Sequence, residues 1–122
     1  MTGLKGALIG CGFFAVNQMH AWNDVDGAKI VAICDRDPDR LKTVGDQFGI
    51  ERRYHDANAL FADGGFDFVD IATTVQSHRV LVEMAAQHKV PTICQKPFAK
   101  TLTDARAMVA ACRVAGIPLM VH

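Results

Sequence analysis

The stretch Ala7-Leu8-Ile9-Gly10-Cys11-Gly12-Phe13-Phe14-Ala15 constrains the fold of this chain more than any other. A short apolar run leads into Gly10-x-Gly12-x-x-Ala15, and a helical pattern follows at once. That is the strand–turn–helix setting in which a glycine fingerprint acquires meaning. Gly10 lets the chain turn tightly off the strand, and Gly12 removes a side chain so that backbone can approach a pyrophosphate. Ala15 keeps the helix packed close to its strand. Phosphates would rest on the free N–H groups at the positive end of that helix, against Gly10, Gly12 and the backbone of Phe13 and Phe14.

An acidic residue at the right distance strengthens the reading. Asp35 stands twenty positions past Ala15 and closes a second apolar run, Ile30-Val31-Ala32-Ile33-Cys34. In a dinucleotide-binding unit, an acid at the end of the second strand accepts hydrogen bonds from the adenosine ribose hydroxyls. A carboxylate there also repels a 2′-phosphate, which favours NAD over NADP. Arg36 pulls the other way, because a guanidinium can stack on adenine or pair with a 2′-phosphate, so NADP stays possible. Asp37, followed by Pro38, reads as the cap of the next helix.

Read in order, residues 1–3 are a frayed end and residues 5–11 a first strand, continuously apolar as a strand covered on both faces should be. Helix is expected over 14–23, strand over 28–34, and helix over 38–48 with Leu41, Val44 and Phe48 on one face and Gly49 at its end. A short strand over 52–54 precedes a helix capped by Asp56 and broken at Asp63-Gly64-Gly65. Residues 66–72 form a fourth strand. Ser77 caps a helix reaching about 88, with Leu81, Met84 and Ala85 inward. A fifth strand covers 90–94, entered through Pro91. Thr101-x-x-Asp104 resembles a capping box for a helix whose inner face is Ala105, Met108, Val109 and Cys112, stopped by Gly116. A sixth strand covers 117–121. Strands alternating with helices, without a hairpin signal, mean an α/β fold: a doubly wound parallel sheet of about six strands in three α/β/α layers. The expected order is 3-2-1-4-5-6, with ligand across the carboxyl ends between strands 1 and 4.

That topology names the functional edge by position. Beyond the glycine loop and Asp35-Arg36 it holds Ala72-Thr73-Thr74, Gln95-Lys96-Pro97 and His122. The hydroxyls of Thr73 and Thr74 either bind cofactor or cap the following helix. His78, in that helix's first turn, is either a packing or hydrogen-bonding residue or a catalyst, and a lone histidine there favours the former. Lys96 is either a solvated loop lysine or the group that holds a substrate oxygen and stabilises an alkoxide during hydride transfer. His20, His55 and His88 have no partner pattern and read as structural or surface residues.

Composition closes off other classes. The chain has 122 residues, enough for one domain with a real core. Its 13 basic and 13 acidic residues balance, which leaves no signal for a nucleic-acid or membrane partner. No apolar run approaches eighteen residues, and no secretory leader pattern opens the chain. Cys11, Cys34, Cys94 and Cys112 lack metal-ligand spacing and read as buried thiols in a reducing cytoplasm, with no metal site.

Taken together, Gly10-Cys11-Gly12-Phe13-Phe14-Ala15, Val31-Ala32-Ile33-Cys34-Asp35-Arg36-Asp37-Pro38, Asp70-Ile71-Ala72-Thr73-Thr74-x-x-x-His78 and Gln95-Lys96-Pro97 resemble the N-terminal Rossmann domain of the Gfo/Idh/MocA oxidoreductases. The resemblance runs from about residue 5 to 122. It implies an NAD(P)-dependent oxidoreductase moving hydride between nicotinamide and a sugar, polyol or cyclitol hydroxyl. It makes Lys96 the catalytic residue beside the nicotinamide, in a Lys–Pro bond that is often cis. It adds His78, Gln95, Thr73 and Thr74 to the cofactor side. Gln95 stands where the family usually has Glu, and Thr74 where it has Pro, so the charge that a carboxylate would present to Lys96 is missing. The family's second α/β domain, which completes the substrate pocket and carries much of the oligomer interface, has no counterpart in these residues. The expectation is therefore a single dinucleotide-binding domain over 1–122, monomeric and inactive alone, from a longer homo-oligomeric enzyme. A glycosidase using bound NAD, and a non-catalytic dinucleotide sensor, are the alternatives.

Overall fold

In the computed structural model, residues 3–122 are described; of the end expected to fray, residues 1–3, the first two lie outside them. Six strands and five helices alternate: β1 (Leu4–Ile9), α1 (Phe13–Asn23), β2 (Ala28–Cys34), α2 (Pro38–Phe48), β3 (Arg52–Tyr54), α3 (Ala57–Asp63), β4 (Phe68–Ile71), α4 (His78–Gln87), β5 (Thr92–Cys94), α5 (Leu102–Ala115) and β6 (Leu119–Val121). A single 3-10 turn, Val75–Ser77, leads into α4. All strand pairs are parallel, in the order β3-β2-β1-β4-β5-β6.

The continuous apolar strands are explained by a core on each face of the sheet. Ala7 and Ile9 of β1 pack with Val69 and Ile71 against Leu60 of α3, Leu81 and Val82 of α4, and Met108 of α5. Leu8, between them, points the other way and joins Ile30, Ile33 and Phe68 against Ala15 and Met19 of α1 and Leu41 and Val44 of α2. Successive side chains alternate across the sheet, so a strand sandwiched by helices must be apolar at every step. Asp70 breaks the rule. Its side chain is 1% exposed in the middle of β4.

Local chemistry sets most boundaries. The Asp37 carboxylate caps α2, accepting from Asp39 N at 2.9 Å and Arg40 N at 3.4 Å. Asp56 caps α3 by accepting from Asn58 N at 3.0 Å. Thr101 Oγ1 accepts from Asp104 N at 3.1 Å, one half of a capping box. The other half is diverted, because the Asp104 carboxylate pairs with Arg79 at 2.9 Å and ties α5 to α4.

Several expectations need correction. α1 starts one residue early, at Phe13. β4, β5 and β6 are shorter than their apolar runs, starting at Phe68, Thr92 and Leu119, because pairing begins only where a neighbouring strand is in reach. Pro91 therefore lies just before β5, its carbonyl accepting from Val69 N. Ser77 makes no side-chain cap, since the 3-10 turn closes the helix start with Ser77 N donating to Thr74 O at 3.1 Å. Val109 turns outward and is 40% exposed, leaving Met108 and Cys112 as the buried residues of α5. No helix among the described residues is long and apolar enough to cross a membrane.

Candidate functional site

The six strands end in register. Ile9 aligns with Cys34 and Ile71, Cys34 with Tyr54, Ile71 with Cys94, and Cys94 with Val121. The residue after each strand therefore stands on one line: His55, Asp35, Gly10, Ala72, Gln95 and His122. Backbone bonds carry the ladder one step beyond the strands. Gly10 N donates to Cys34 O and Ala72 N to Ile9 O, both at 2.8 Å, and Asp35 N to Tyr54 O at 3.0 Å. Strand order reverses between β1 and β4, so the two crossovers part there and open a crevice above the carboxyl ends. An open cleft of about 1340 Å³ occupies it, lined by Gly10, Gly12, Asp35, Arg36, Thr73 and Lys96 among others.

Gly10 and Gly12 are glycines for different reasons. Gly10 has φ +104°, and a Cβ there would lie 2.7 Å from Ala72 O, so the fold itself demands glycine. Gly12 has φ −77° and ψ −167°, ordinary for any residue, and a Cβ there would meet only Arg40 Nη1 at 3.9 Å. Nothing in the protein forbids a side chain at position 12. What a side chain would occupy is the space directly before the first turn of α1. That turn has no side-chain cap and no acidic residue, so its N–H groups and dipole face the cleft. The geometry fits a phosphate-bearing ligand whose backbone approach needs a bare position 12.

Asp35 is held in place. Its Oδ2 accepts from Cys11 N at 2.7 Å, and its Oδ1 from Asp37 N at 2.8 Å. One carboxylate thus ties the glycine loop to the end of β2, and each oxygen keeps a further lone pair for a ligand hydroxyl. Arg36 is exposed beside it and Arg40 reaches the glycine loop from α2, 3.7 Å from Asp37. Phe13 and Phe14 stand at the rim, 83% and 73% exposed, edge to face at 5.9 Å.

Across the crevice, Thr73 Oγ1 donates to Thr74 O at 3.2 Å, and Thr74 makes no side-chain cap; neither hydroxyl caps the following helix. Lys96 and Pro97 line the cleft, and the peptide between them is cis. Gln95 lies outside the lining, with its Nε2 3.3 Å from His122 Nδ1. His78 is also outside it, fully buried, with Nδ1 3.0 Å from Phe98 O and Nε2 3.1 Å from Thr73 O. His20 packs edge-on against Phe48 and His88 stacks on Phe61.

Three features escaped the sequence reading. Arg40 and His55 line the cleft, although only the register of β3 reveals that His55 belongs to the edge. Asp70 Oδ2 accepts from Gln18 Nε2 and Trp22 Nε1, each at 2.9 Å, while Oδ1 is buried without a partner. Burial pushes its carboxyl above the usual range, opposed by the Trp22 and Gln18 hydrogen bonds. A lone acid in the apolar run 66–72 was the available signal. Burial likewise pushes the thiols of Cys11, Cys34 and Cys94 up to about 12, with Asp35 adding to the first two and Asp70 to the third. Such thiols stay protonated at neutral pH, which makes them poor nucleophiles. No cluster of three metal-ligating side chains occurs among the described residues.

Comparison with known proteins agrees with this geometry. A family model described as an oxidoreductase family with an NAD-binding Rossmann fold matches residues 4–122. D-apiose dehydrogenase of Rhizobium rhizogenes is 84% identical over all of this chain and 35% of its own length. Inositol 2-dehydrogenase of Acidothermus cellulolyticus is 36% identical over 85% of this chain and 31% of its own length. Among solved structures, an oxidoreductase from Agrobacterium radiobacter in complex with NAD+, L-tartaric acid and magnesium superposes with a TM-score of 0.98 at 83% identity, covering 99% of this chain and 35% of that one. The chain spans about a third of the length of these relatives. With its doubly wound sheet, a glycine loop bare at position 12 and an acid closing β2, this chain belongs to the Gfo/Idh/MocA oxidoreductase family with the NAD-binding Rossmann fold.

Proposed function

We propose that this chain binds NAD and serves as the dinucleotide-binding unit of an enzyme that oxidises a sugar or cyclitol hydroxyl. The observation that carries the reading is Gly12: an ordinary backbone conformation, empty space around its missing Cβ, and an uncapped helix end behind it. Gly10, Gly12 and the amides of Phe13 and Phe14 would hold pyrophosphate, and Asp35 the adenosine ribose. Arg36 would lie along the adenine, with Thr73 and Thr74 along the nicotinamide half. The nicotinamide would supply the hydride acceptor. Lys96 would hold the reacting hydroxyl oxygen and stabilise the negative charge it gains as hydride leaves. Gln95, bound to His122, brings no charge of its own to Lys96.

The names of the relatives, D-apiose and inositol dehydrogenases, favour a sugar or cyclitol substrate. We assign the rest of the substrate pocket, and homo-oligomer formation in a cytoplasmic enzyme, to sequence outside these 122 residues; the chain by itself would be a monomer. Calorimetric titration of the chain with NAD(H) and NADP(H), beside Gly12→Val, tests the cofactor assignment. NAD binding that Gly12→Val abolishes is the expected result. Binding that survives Gly12→Val would overturn it. In the longer protein, Lys96→Ala is expected to retain cofactor and lose turnover.

A further inference from the structure

The sheet leaves the two loops of the nicotinamide half attached to different strands. Thr73 follows β4, whereas Lys96, Pro97 and Phe98 follow β5 and lead away toward α5. No strand pairing continues past Ile71 and Cys94 to fix one loop against the other, apart from the single bond from Gln95 N to Ile71 O. His78 does so from below. Its ring is fully buried at the start of α4, one nitrogen on Thr73 O at 3.1 Å and the other on Phe98 O at 3.0 Å. Each loop thus offers a backbone carbonyl to the same imidazole, a rigid ring that leaves little freedom in their spacing.

We infer that His78 is a positioning residue: it clamps the Thr73 loop to the Lys96 loop and so presets the nicotinamide half of the cleft without touching the cofactor. This rests on the dinucleotide reading above. The adenosine half is held separately, by Asp35 on Cys11 N and by the glycine loop, so the two halves can be read independently. Both contacts are hydrogen bonds only when both ring nitrogens carry a proton; with one proton the ring donates to one carbonyl, and the spacing to the other is set by the rigid ring wedged between the two loops. Asn at 78 can place a donor where Nδ1 sits, toward Phe98 O, and Gln can place one where Nε2 sits, toward Thr73 O.

The test measures the affinity of the intact chain for NAD+ and for ADP, which lacks the nicotinamide half, in wild type, His78→Phe, His78→Asn and His78→Gln. The expected result for His78→Phe is at least a tenfold loss for NAD+ with ADP changed less than twofold, and partial recovery of the NAD+ affinity in Asn or Gln. If His78→Phe does not fold, the ratio in the Asn and Gln variants decides: each keeps one donor but loses the rigid ring that spans both carbonyls, and each should bind NAD+ several-fold less well than wild type with ADP unchanged. Equal losses for NAD+ and ADP, or no loss for either, overturn the clamp while leaving the cofactor site standing. Wild type that binds ADP no better than Gly12→Val does would remove the cofactor reading, and the clamp with it.

Discussion

Alanine at position 10 and alanine at position 12 should fail in opposite ways, although the two glycines are separated by one residue. At Gly10 the backbone has φ +104°, where a side chain costs about 1–3 kcal/mol in strain. The new methyl would also sit 2.7 Å from Ala72 O and 2.8 Å from Ala72 C, both backbone atoms of β4's exit that cannot yield without moving the sheet. Overpacking of that kind adds about 1–3 kcal/mol, and reduced freedom of the unfolded chain returns roughly 0.4–1 kcal/mol. A net loss of about 1–6 kcal/mol follows, a fall in Tm of roughly 4–24 °C for a chain of this size. At Gly12 the same arithmetic nearly cancels. The conformation is extended, the nearest atom is the mobile tip of Arg40 at 3.9 Å, and the poorer helix cap is offset by the stiffer unfolded chain, leaving stability within about 1 kcal/mol. Binding behaves the other way: a methyl standing in the phosphate cradle costs about 1–3 kcal/mol of affinity, roughly five- to 150-fold. Urea unfolding together with NAD+ titration of both variants checks this. A Gly12→Ala protein that is as unstable as Gly10→Ala, or that binds NAD+ as well as wild type, would refute the assignment of position 12 to a ligand.

Three further outcomes are expected. Asp35→Ala strips the acceptor from Cys11 N and Asp37 N and should cost about 2–3 kcal/mol of stability; it should also weaken NAD more than NADP, and equal losses in titration would sink the ribose role. Asp70→Asn keeps an acceptor for Gln18 and Trp22 and removes a buried charge, but it sets an amide NH2 where the unpartnered oxygen lies, so its stability relative to wild type should be better at pH 7 than at about pH 4. Because the folded carboxyl titrates above its unfolded value, wild type loses stability as pH rises from about 4 through the folded value; a difference between Asn and wild type that stays constant from about pH 4 to pH 7 in unfolding curves would refute the buried charge. The Cys11, Cys34 and Cys94 thiols, raised from 9.0 to about 12, should make stability fall as pH climbs through that window. Each adds a slope of up to about 1.4 kcal/mol per pH unit, and Cys94→Ala should flatten the profile by one such share.

How far residues alone reach is clearest at the edge of the sheet. The order of elements, the strand sequence β3-β2-β1-β4-β5-β6, the caps at Asp37 and Asp56, and the placing of Gly10, Asp35 and Lys96 on one edge were all legible, because periodicity, turn chemistry and the right-handed crossover rule act locally or leave a single topology. Strand starts at Phe68, Thr92 and Leu119 were not, since an apolar residue becomes part of a strand only where a neighbour pairs with it. Nor could the chain announce that Gly12 is free of internal demands while Gly10 is not, that Asp35 spends both oxygens on the backbone, or that Asp70 lies buried with one oxygen unmet. Apart from the local bond of Asp37 N to Asp35, those facts depend on atoms 24 to 62 residues away, as Cys11 on Asp35 and Ala72 against Gly10 show. His78 is the sharpest case. From the sequence it was a histidine in a helix's first turn with two possible uses; its position between Thr73 O and Phe98 O exists only once β4 and β5 lie side by side, because a hydrogen bond requires distance and direction that no local pattern encodes.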